Sequence, residues 1–181
     1  MAAKPYAYLD DLLEAAGQGA SPLLLVLDGI EDPHNLGAIA RTAEAVGAQG
    51  IIVPERRAVG LTATVAKASA GALEHLPVAR VVNLSQAIER LKTAGFWVYA
   101  LDAKGDRSYL EMDYRGPVAL VVGAEGRGIR PLVAKRCDGR VRIPMRGHVA
   151  SLNVSVATAV LLYEVLRQRA DERTLTRVAA G

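Results

Sequence analysis

Cysteine, aromatic side chains and long apolar runs are all scarce in this chain of 181 residues. Its one cysteine, Cys137, excludes an internal disulfide and any zinc or iron–sulfur site built from a cysteine cluster. The longest uncharged apolar runs, 22–27 and 154–163, are too short to span a bilayer. We therefore expect a cytoplasmic protein with a metal-free site.

Aromatic residues make up only 4% of the chain, which limits how RNA could bind. Phe96, Trp97 and Tyr99 cluster, but they belong to an apolar run with the pattern of a buried strand. Proteins that hold single-stranded RNA on a stacking platform need exposed ring faces for the bases. The composition thus argues against an aromatic stacking platform.

Charge is unevenly distributed along the chain, although the net formal charge is only +3. Acidic residues predominate within residues 1–55, and basic residues predominate in the remainder. A dense basic block runs from 127 to 146, where Asp138 is the only acidic residue. Such a positive field suits a polyanion, although a solvated basic face explains it equally well. The block contains Arg127, Arg130, Lys135, Arg136, Arg140, Arg142 and Arg146.

Apolar runs and helical patterns alternate from residue 21 onward. Apolar runs predict strands over 23–27, 50–53, 78–82, 96–101, 118–122 and 140–143. Helical spacing and glycine stops predict helices over 37–46, 62–70, 85–93, 131–136 and 151–169. The alternation predicts an α/β domain over 21–181, with a parallel sheet and helices on both of its faces. Residues 1–20 are expected to form an arm or linker with a short amphipathic helix.

Four of the loops that follow predicted strands carry polar residues and glycines. These loops are 28–35, 102–105, 123–128 and 144–153. Because parallel strands end at the same edge of a sheet, the four loops are expected to meet there. This convergence predicts the position of the functional site.

The first loop leads into a helix that carries Arg41. By residue type alone, Asn35 is either a plain helix cap or a functional amide, and Arg41 is either a surface residue or a functional cation. Gly37 indicates close approach of another backbone or a ligand. Asp32 and His34 are too few to indicate a metal site.

The second and third loops exclude several well-known kinds of site. The run Gly123-Ala124-Glu125-Gly126-Arg127-Gly128 lacks the spacing and the lysine of a P-loop, and it lacks the dinucleotide fingerprint. A tight turn with an exposed glutamate is the simple alternative. In the third loop, Ser151 is expected to cap the last helix, with Asn153 in its first turn. The nucleophile elbow of a serine hydrolase is missing.

Taken together, the three motifs resemble those of the SpoU (TrmH) family of RNA ribose 2′-O-methyltransferases, part of the SPOUT superfamily. The matching runs are Asp32-Pro33-His34-Asn35-Leu36-Gly37-Ala38 with Arg41, Gly123-Ala124-Glu125-Gly126, and Ile143-Pro144-Met145 with Ser151-Leu152-Asn153-Val154-Ser155. The resemblance covers about 22–169 and points to the catalytic domain of bacterial 23S rRNA (guanosine-2′-O-)methyltransferases. It implies a C-terminal deep trefoil knot, a homodimer and S-adenosylmethionine as cofactor. Full-length members carry an additional N-terminal RNA-binding domain, so we expect weak and unselective RNA binding by this chain.

The resemblance also implies roles for individual residues. The implied catalytic residues are Asn35, Arg41, Glu125, Ser151 and Asn153. The implied cofactor contacts are Leu101, Asp102, Ala103, Gly123, Ile143, Pro144, Met145 and Leu152, and a side chain introduced at Gly123 is expected to fill that pocket. The arginines expected to contact RNA phosphates are Arg127, Arg130 and Arg146. Since guanidinium is a poor base, Arg41 is expected to clamp a phosphate or the developing alkoxide, and a role as base is left open.

Several functions stay open on the sequence alone. The leading hypothesis is methyl transfer to the ribose 2′-hydroxyl of a 23S rRNA guanosine, with tRNA as the alternative RNA. From a different class, the chain could be a catalytically silent RNA-binding or dimerisation module. A nucleotide-binding hydrolase is disfavoured because both the P-loop and the elbow are missing. Binding of S-adenosylmethionine separates the first hypothesis from the other two.

Overall fold

The computed structural model describes residues 4–170, so residues 171–181 of the predicted domain lie outside the described part. Its strands are β1 Leu23–Asp28, β2 Gly50–Pro54, β3 Val78–Val81, β4 Trp97–Leu101, β5 Arg107–Ser108, β6 Val118–Gly123 and β7 Gly139–Arg142. Its α-helices are α1 Leu9–Gly17, α2 Pro33–Ala45, α3 Ala63–Ala68, α4 Leu84–Thr93, α5 Pro131–Arg136 and α6 Val154–Arg169. Short 3₁₀ helices occupy Ala72–Glu74 and Tyr109–Glu111.

The strands form one sheet in the order β3-β2-β1-β6-β4-β7-β5, and every described pairing is parallel. Every residue of β1 and β6 is buried, which explains why these two central strands read as uninterrupted apolar runs. Helices α2, α3 and α6 cover one face through residues such as Ile39, Val65 and Leu162. Helices α1, α4 and α5 cover the other through Leu12, Ile88 and Val133. The predicted parallel sheet with helices on both faces is confirmed.

Two helices begin at residues other than those predicted, because different side chains cap them. Helix α2 begins at Pro33 rather than 37, since Asp32 accepts a hydrogen bond from His34 N at 2.8 Å. Helix α6 begins at Val154 rather than 151, since Asn153 Oδ1 accepts from Ser155 N at 2.9 Å. Asn153 is therefore the cap, and the prediction that Ser151 would cap this helix is wrong.

Other predicted elements agree with the structure to within two residues at each end. Strand β5 was not predicted, because two residues are too few to show a periodic pattern. Trp97 is 58% exposed at the start of β4, so the aromatic cluster is only partly buried. Helix α1 confirms the short amphipathic helix and packs Leu9, Leu12 and Ala16 against the sheet. The boundary between an arm over 1–20 and a domain over 21–181 stays a prediction.

The connections place a crevice at the carboxyl ends of β1 and β6. After β1 the chain crosses one face through α2, and after β6 it crosses the other face through α5. Loops that leave neighbouring strands toward opposite faces open a cleft between them, where parallel α/β proteins bind ligands. No helix within residues 4–170 is both long and apolar enough to cross a bilayer.

Candidate active site

The crevice encloses about 300 Å³ and is lined by polar residues from the first two loops and by Val154 at the start of α6. Its carboxylates and amide come from the loop after β1, the start of α2 and the loop after β6. Three arginines also line it, on the β2–α3 loop and the segment before α5. The polar lining residues are Asp28, Glu31, Asp32, Asn35, Arg57, Glu125, Arg127 and Arg130.

Side chains from all three motifs meet at this crevice. Asn153 Nδ2 donates a hydrogen bond to Asn35 Oδ1 at 3.2 Å, which joins the third motif to the first. Glu125 Oε1 accepts one from Val154 N at 3.3 Å, which joins the second motif to the third. The prediction that these loops converge is therefore confirmed for Asn35, Glu125 and Asn153. Amide and carboxylate groups in this arrangement can orient a hydroxyl group.

A buried ion pair that the sequence analysis missed lies beside these residues. The side chain of Asp28 is almost fully buried, and its Oδ1 accepts a hydrogen bond from Arg130 Nε at 2.8 Å. Its Oδ2 accepts another from the backbone nitrogen of Arg130 at 2.9 Å. The signal in the sequence was a carboxylate at the end of a buried apolar run, but nothing there indicated its partner.

The residues predicted to bind the cofactor, apart from Leu152 just before α6, lie at the carboxyl ends of three adjacent strands, β6, β4 and β7. The loop 102–105 is held against β7, because Arg142 Nη1 donates to Gly105 O at 2.9 Å. Leu101, Asp102, Ile143 and Leu152 are half-buried there, whereas Ala103, Pro144 and Met145 are exposed. The structure thus brings the predicted residues to one edge of the sheet, beside the crevice.

Three residues predicted to act in catalysis or RNA binding do not line the crevice of their own chain. Arg41, Ser151 and Arg146 are exposed and have no side-chain hydrogen bond to any described residue. Asn35 and Arg41 are both on α2, but six residues separate them by about 9 Å along the axis and by well over a quarter turn. Arg41 is therefore available for a ligand or a second copy of the chain.

The basic block is divided between structural and unpaired side chains. Arg130, Arg136 and Arg140 face Asp28, Glu89 and Asp102 respectively. Arg142 is bound to Gly105, as described above. Among the described contacts, Arg127, Lys135 and Arg146 have no acidic partner, so the cations free to meet a polyanion are fewer than the sequence suggests.

Cys137 is excluded as a nucleophile by its surroundings. Burial, together with the neighbouring Asp138, raises the pKa of its thiol to about 12. The reactive thiolate is therefore scarce at neutral pH. No group of three metal-ligating side chains occurs within residues 4–170.

Comparison with known proteins decides the family. The profile of the SpoU rRNA methylase family matches residues 22–163, which include all three motifs. The chain belongs to this family. The Bacillus subtilis protein YacO, assigned to the TrmH family of tRNA/rRNA methyltransferases, is 55% identical over 170 residues, which cover 93% of this chain and 68% of YacO.

Solved structures of other proteins share the fold of this SpoU methylase. An AdoMet-bound rRNA methyltransferase from Sinorhizobium meliloti matches with a TM-score of 0.83 and 32% identity, covering 93% of this chain and 63% of that one. An RNA 2′-O ribose methyltransferase matches with a TM-score of 0.76 and 34% identity, covering 93% and 60%. This chain spans less than two thirds of the length of these two crystallised chains.

Gly123 of this SpoU family member is expected to tolerate no side chain. A Cβ atom there would collide with the backbone of Gly128 and Ile129, so the conflict is with the neighbouring loop rather than with open pocket space. Gly123→Ala should therefore displace the segment that leads into Arg130, and both the thermal midpoint and the affinity for S-adenosylmethionine should fall. Calorimetric unfolding and titration measure the two effects.

Gly116→Ala is the matched control, because a Cβ atom at Gly116 meets no atom within 4 Å. It should unfold and bind like the wild type. Wild-type behaviour of Gly123→Ala in both measurements would contradict the close approach of the two loops.

Proposed function

We propose that this chain transfers the methyl group of S-adenosylmethionine to the 2′-hydroxyl of an RNA ribose. The observation that carries the proposal is the contact of Asn35, Glu125 and Asn153 at one crevice, beside the strand ends where the cofactor is expected. The similarity to an AdoMet-bound rRNA methyltransferase and to an RNA 2′-O ribose methyltransferase supports it. Both similar structures extend over nearly the whole of this chain.

The strand ends beside the crevice fit S-adenosylmethionine. Leu101, Ile143 and Leu152 offer half-buried apolar surface for an adenine ring. Among the described hydrogen bonds outside helices and strands, none involves residues 144–152, so the backbone donors and acceptors of that loop are open to a ligand. The remaining contacts proposed are Asp102, Ala103, Gly123, Pro144 and Met145. When bound, the cofactor supplies a methyl group that is already activated by its positively charged sulfur.

The residues of the crevice then position the hydroxyl that attacks. Glu125 Oε1 is occupied by Val154 N, which leaves Oε2 to accept a hydrogen bond from the 2′-hydroxyl. Asn35 and Asn153 hold each other and define one side of the ribose site, and Ser151 adds a hydroxyl. Transfer would join the 2′-oxygen to the methyl carbon and break the S–C bond, with S-adenosylhomocysteine as the leaving group and the hydroxyl proton released to solvent. Arg41 stabilises the negative charge that develops on the oxygen.

We further propose that the RNA is 23S rRNA and that the target is a guanosine, with tRNA as the second candidate. Arg127, Arg130 and Arg146 are proposed to contact RNA phosphates around the target ribose. Such contacts position a nucleic acid without reading its sequence. The choice of RNA therefore depends on groups other than these arginines.

A homodimer in the cytoplasm is proposed as the working form. Val156 and Tyr163 lie two helical turns apart on α6 and are 49% and 53% exposed. An apolar stripe of this kind suits a second copy of the chain. Since α2 packs against α6, the exposed Arg41 would lie near that interface and could reach the crevice of the partner. Sedimentation equilibrium tests the dimer.

We also propose that the C-terminal segment forms the deep trefoil knot of the family. Strand β7 lies between β4 and β5, which are joined by the connection 102–106. That connection runs over the carboxyl end of β7, where Gly105 touches the backbone of Val141. The chain that leaves β7 must then pass this connection to reach α6, which supports a threaded path.

The assay for the proposed function uses labelled S-adenosylmethionine with unmodified 23S rRNA and tRNA transcripts. We expect label in the 23S transcript, at a linkage that resists alkaline hydrolysis, because a methylated 2′-oxygen cannot attack the neighbouring phosphate. Label in tRNA alone would favour the second candidate. Label on a base would overturn ribose methylation. A silent module would give neither transfer nor heat on titration with S-adenosylmethionine.

A further inference from the structure

A buried carboxylate lies beneath the crevice, and both of its oxygens accept hydrogen bonds from the same arginine. Asp28 is 2% exposed, and its two hydrogen bonds to Arg130 reach a residue 102 positions further along the chain. One of these bonds goes to the Arg130 backbone and the other to Nε of its side chain. Asp28 thus fixes both the path of the chain and the direction of the guanidinium.

Stability alone is a weak explanation for this ion pair. Burying a carboxylate is costly, and an apolar pair of similar volume is often at least as stable. The loop between Gly123 and Arg130 also has backbone bonds of its own, from Ala124 N to Asp28 O at 3.1 Å and from Gly128 N to Ala124 O at 2.8 Å. What the ion pair adds to these bonds is a fixed orientation of the Arg130 side chain.

Asp28 leaves the outer end of that guanidinium free. The side chain of Arg130 is 43% exposed and lines the crevice, and its two Nη groups have no acceptor among the described residues. The paired Nη groups of arginine match two oxygens of a phosphate. Arg130 is therefore held ready to bind a phosphate without reorganisation.

A second arginine faces the crevice from the opposite side. Arg57 follows β2, which flanks β1 on the side away from β6. Its φ of 60° lies in the left-handed region, which is unfavourable for a residue with a side chain. A hydrogen bond from Val59 N to Ile30 O, 3.1 Å long, ties this loop to the loop after β1. Strained residues held in this way are typical of ligand sites.

The carboxylates of the crevice indicate that the ligand is more than a phosphate. Asp32 and Glu125 accept hydrogen bonds from the first turns of α2 and α6, which offsets part of their charge. Glu31 is exposed beside them. Arginines and carboxylates together suit a nucleotide unit, whose phosphate accepts hydrogen bonds and whose ribose hydroxyls donate them.

We propose that Asp28 is a positioning residue that aligns Arg130, opposite Arg57, on the phosphate next to the ribose to be methylated. This inference rests on the proposed function, and it gives the RNA site an arginine that is already oriented before the phosphate binds. It adds Arg57 to the RNA contacts proposed above and gives the buried Asp28 a positioning role behind Arg130.

The test measures affinity for oligouridylate across a range of salt concentrations, since phosphate contacts need no particular sequence. Arg57→Ala and the double variant Asp28→Asn/Arg130→Gln should each flatten the plot of log affinity against log salt by roughly 0.7. The double variant keeps an amide pair in place of the ion pair and so protects folding. Asp28→Asn alone should weaken oligouridylate binding about tenfold, because the guanidinium of Arg130 remains but is no longer aligned by the carboxylate.

The affinity for S-adenosylmethionine should stay at the wild-type value in all three variants, which a merely structural role of Asp28 would not allow. Arg115→Ala, at the amino end of β6 and paired on the surface with Asp113, is the matched control and should leave the salt slope unchanged. Wild-type slopes in Arg57→Ala and the double variant, in protein that still transfers methyl groups, would overturn this inference alone. A wild type that neither binds S-adenosylmethionine nor methylates RNA would overturn the proposed function instead.

Discussion

Arg41→Ala is expected to lower the rate of methyl transfer to RNA by about a hundredfold or more, with the affinity for S-adenosylmethionine unchanged. Arg41 is an exposed cation on α2 without a described side-chain partner, so its removal should leave the fold intact. It also lies outside the crevice, so it should not affect the cofactor. Single-turnover transfer from labelled cofactor measures the rate, and titration calorimetry measures the affinity.

Two further variants test whether the guanidinium of Arg41 itself is needed. Arg41→Lys keeps the charge but not the planar fork, and it should recover only part of the rate. Arg115→Ala removes an arginine from the opposite edge of the sheet and should transfer at the wild-type rate. Near wild-type transfer by Arg41→Ala would show that Arg41 is only a surface residue.

Mixing two inactive variants tests whether Arg41 acts in the crevice of the partner. A heterodimer of Arg41→Ala with Glu125→Ala contains one crevice with a native Glu125 that faces the native Arg41 of the other subunit. Activity should therefore return on mixing. A mixture that stays inactive would place Arg41 and Glu125 in the same subunit's site.

Arg169→Met is expected to lower the free energy of unfolding by at least about 3 kcal/mol and the thermal midpoint by roughly 10 °C. The guanidinium of Arg169 donates to Tyr114 O at 2.8 Å, Ser21 O at 2.7 Å and Gly116 O at 2.7 Å, with a longer bond to Pro22 O. Burial lowers the pKa of this arginine below its usual value, which reflects the cost of taking its charge out of water. Without it, several carbonyl groups lose their donor.

The loss should be specific to this buried position. Arg115→Met removes an exposed arginine whose partner, Asp113, is also exposed, and it should change the unfolding free energy by less than about 1 kcal/mol. Denaturant unfolding gives both values. Equal stabilities of the two variants would show that the carbonyl cluster contributes nothing to the fold.

The strands could be predicted from the sequence because most of them are buried on both sides. The apolar run at 118–122 predicts a central strand, and β6 occupies Val118–Gly123. The starts of α2 and α6 were harder, because several residues near each start have side chains that can cap. Asp32 and Asn153 are the caps, because their side chains accept hydrogen bonds from the first turn of each helix. No spacing rule distinguishes them in the sequence from Asn35 and Ser151.

The candidate site was predictable where its residues lie in motifs and not where they depend on distant partners. Asn35, Glu125 and Asn153 belong to motifs, and the structure joins them. Arg57 lacked any signal in the sequence, and Asp28 showed only a carboxylate at the end of an apolar run, because its partner Arg130 lies 102 positions away. The number of arginines free to bind RNA was overestimated for the same reason, since counting charges does not reveal which arginines already have acidic partners in the fold.

The order of the sheet also sets the order in which the protein can fold. Leu25 of β1 pairs with Ile51 of β2, which follows closely in the sequence, but its partner on the other side, Leu120 of β6, leaves the ribosome much later. Until then one edge of a largely apolar strand has no partner, which invites pairing with another nascent chain. Contacts between residues so far apart in sequence also slow folding. The feature that creates the crevice thus makes this protein a slow folder whose incomplete chains are prone to aggregate.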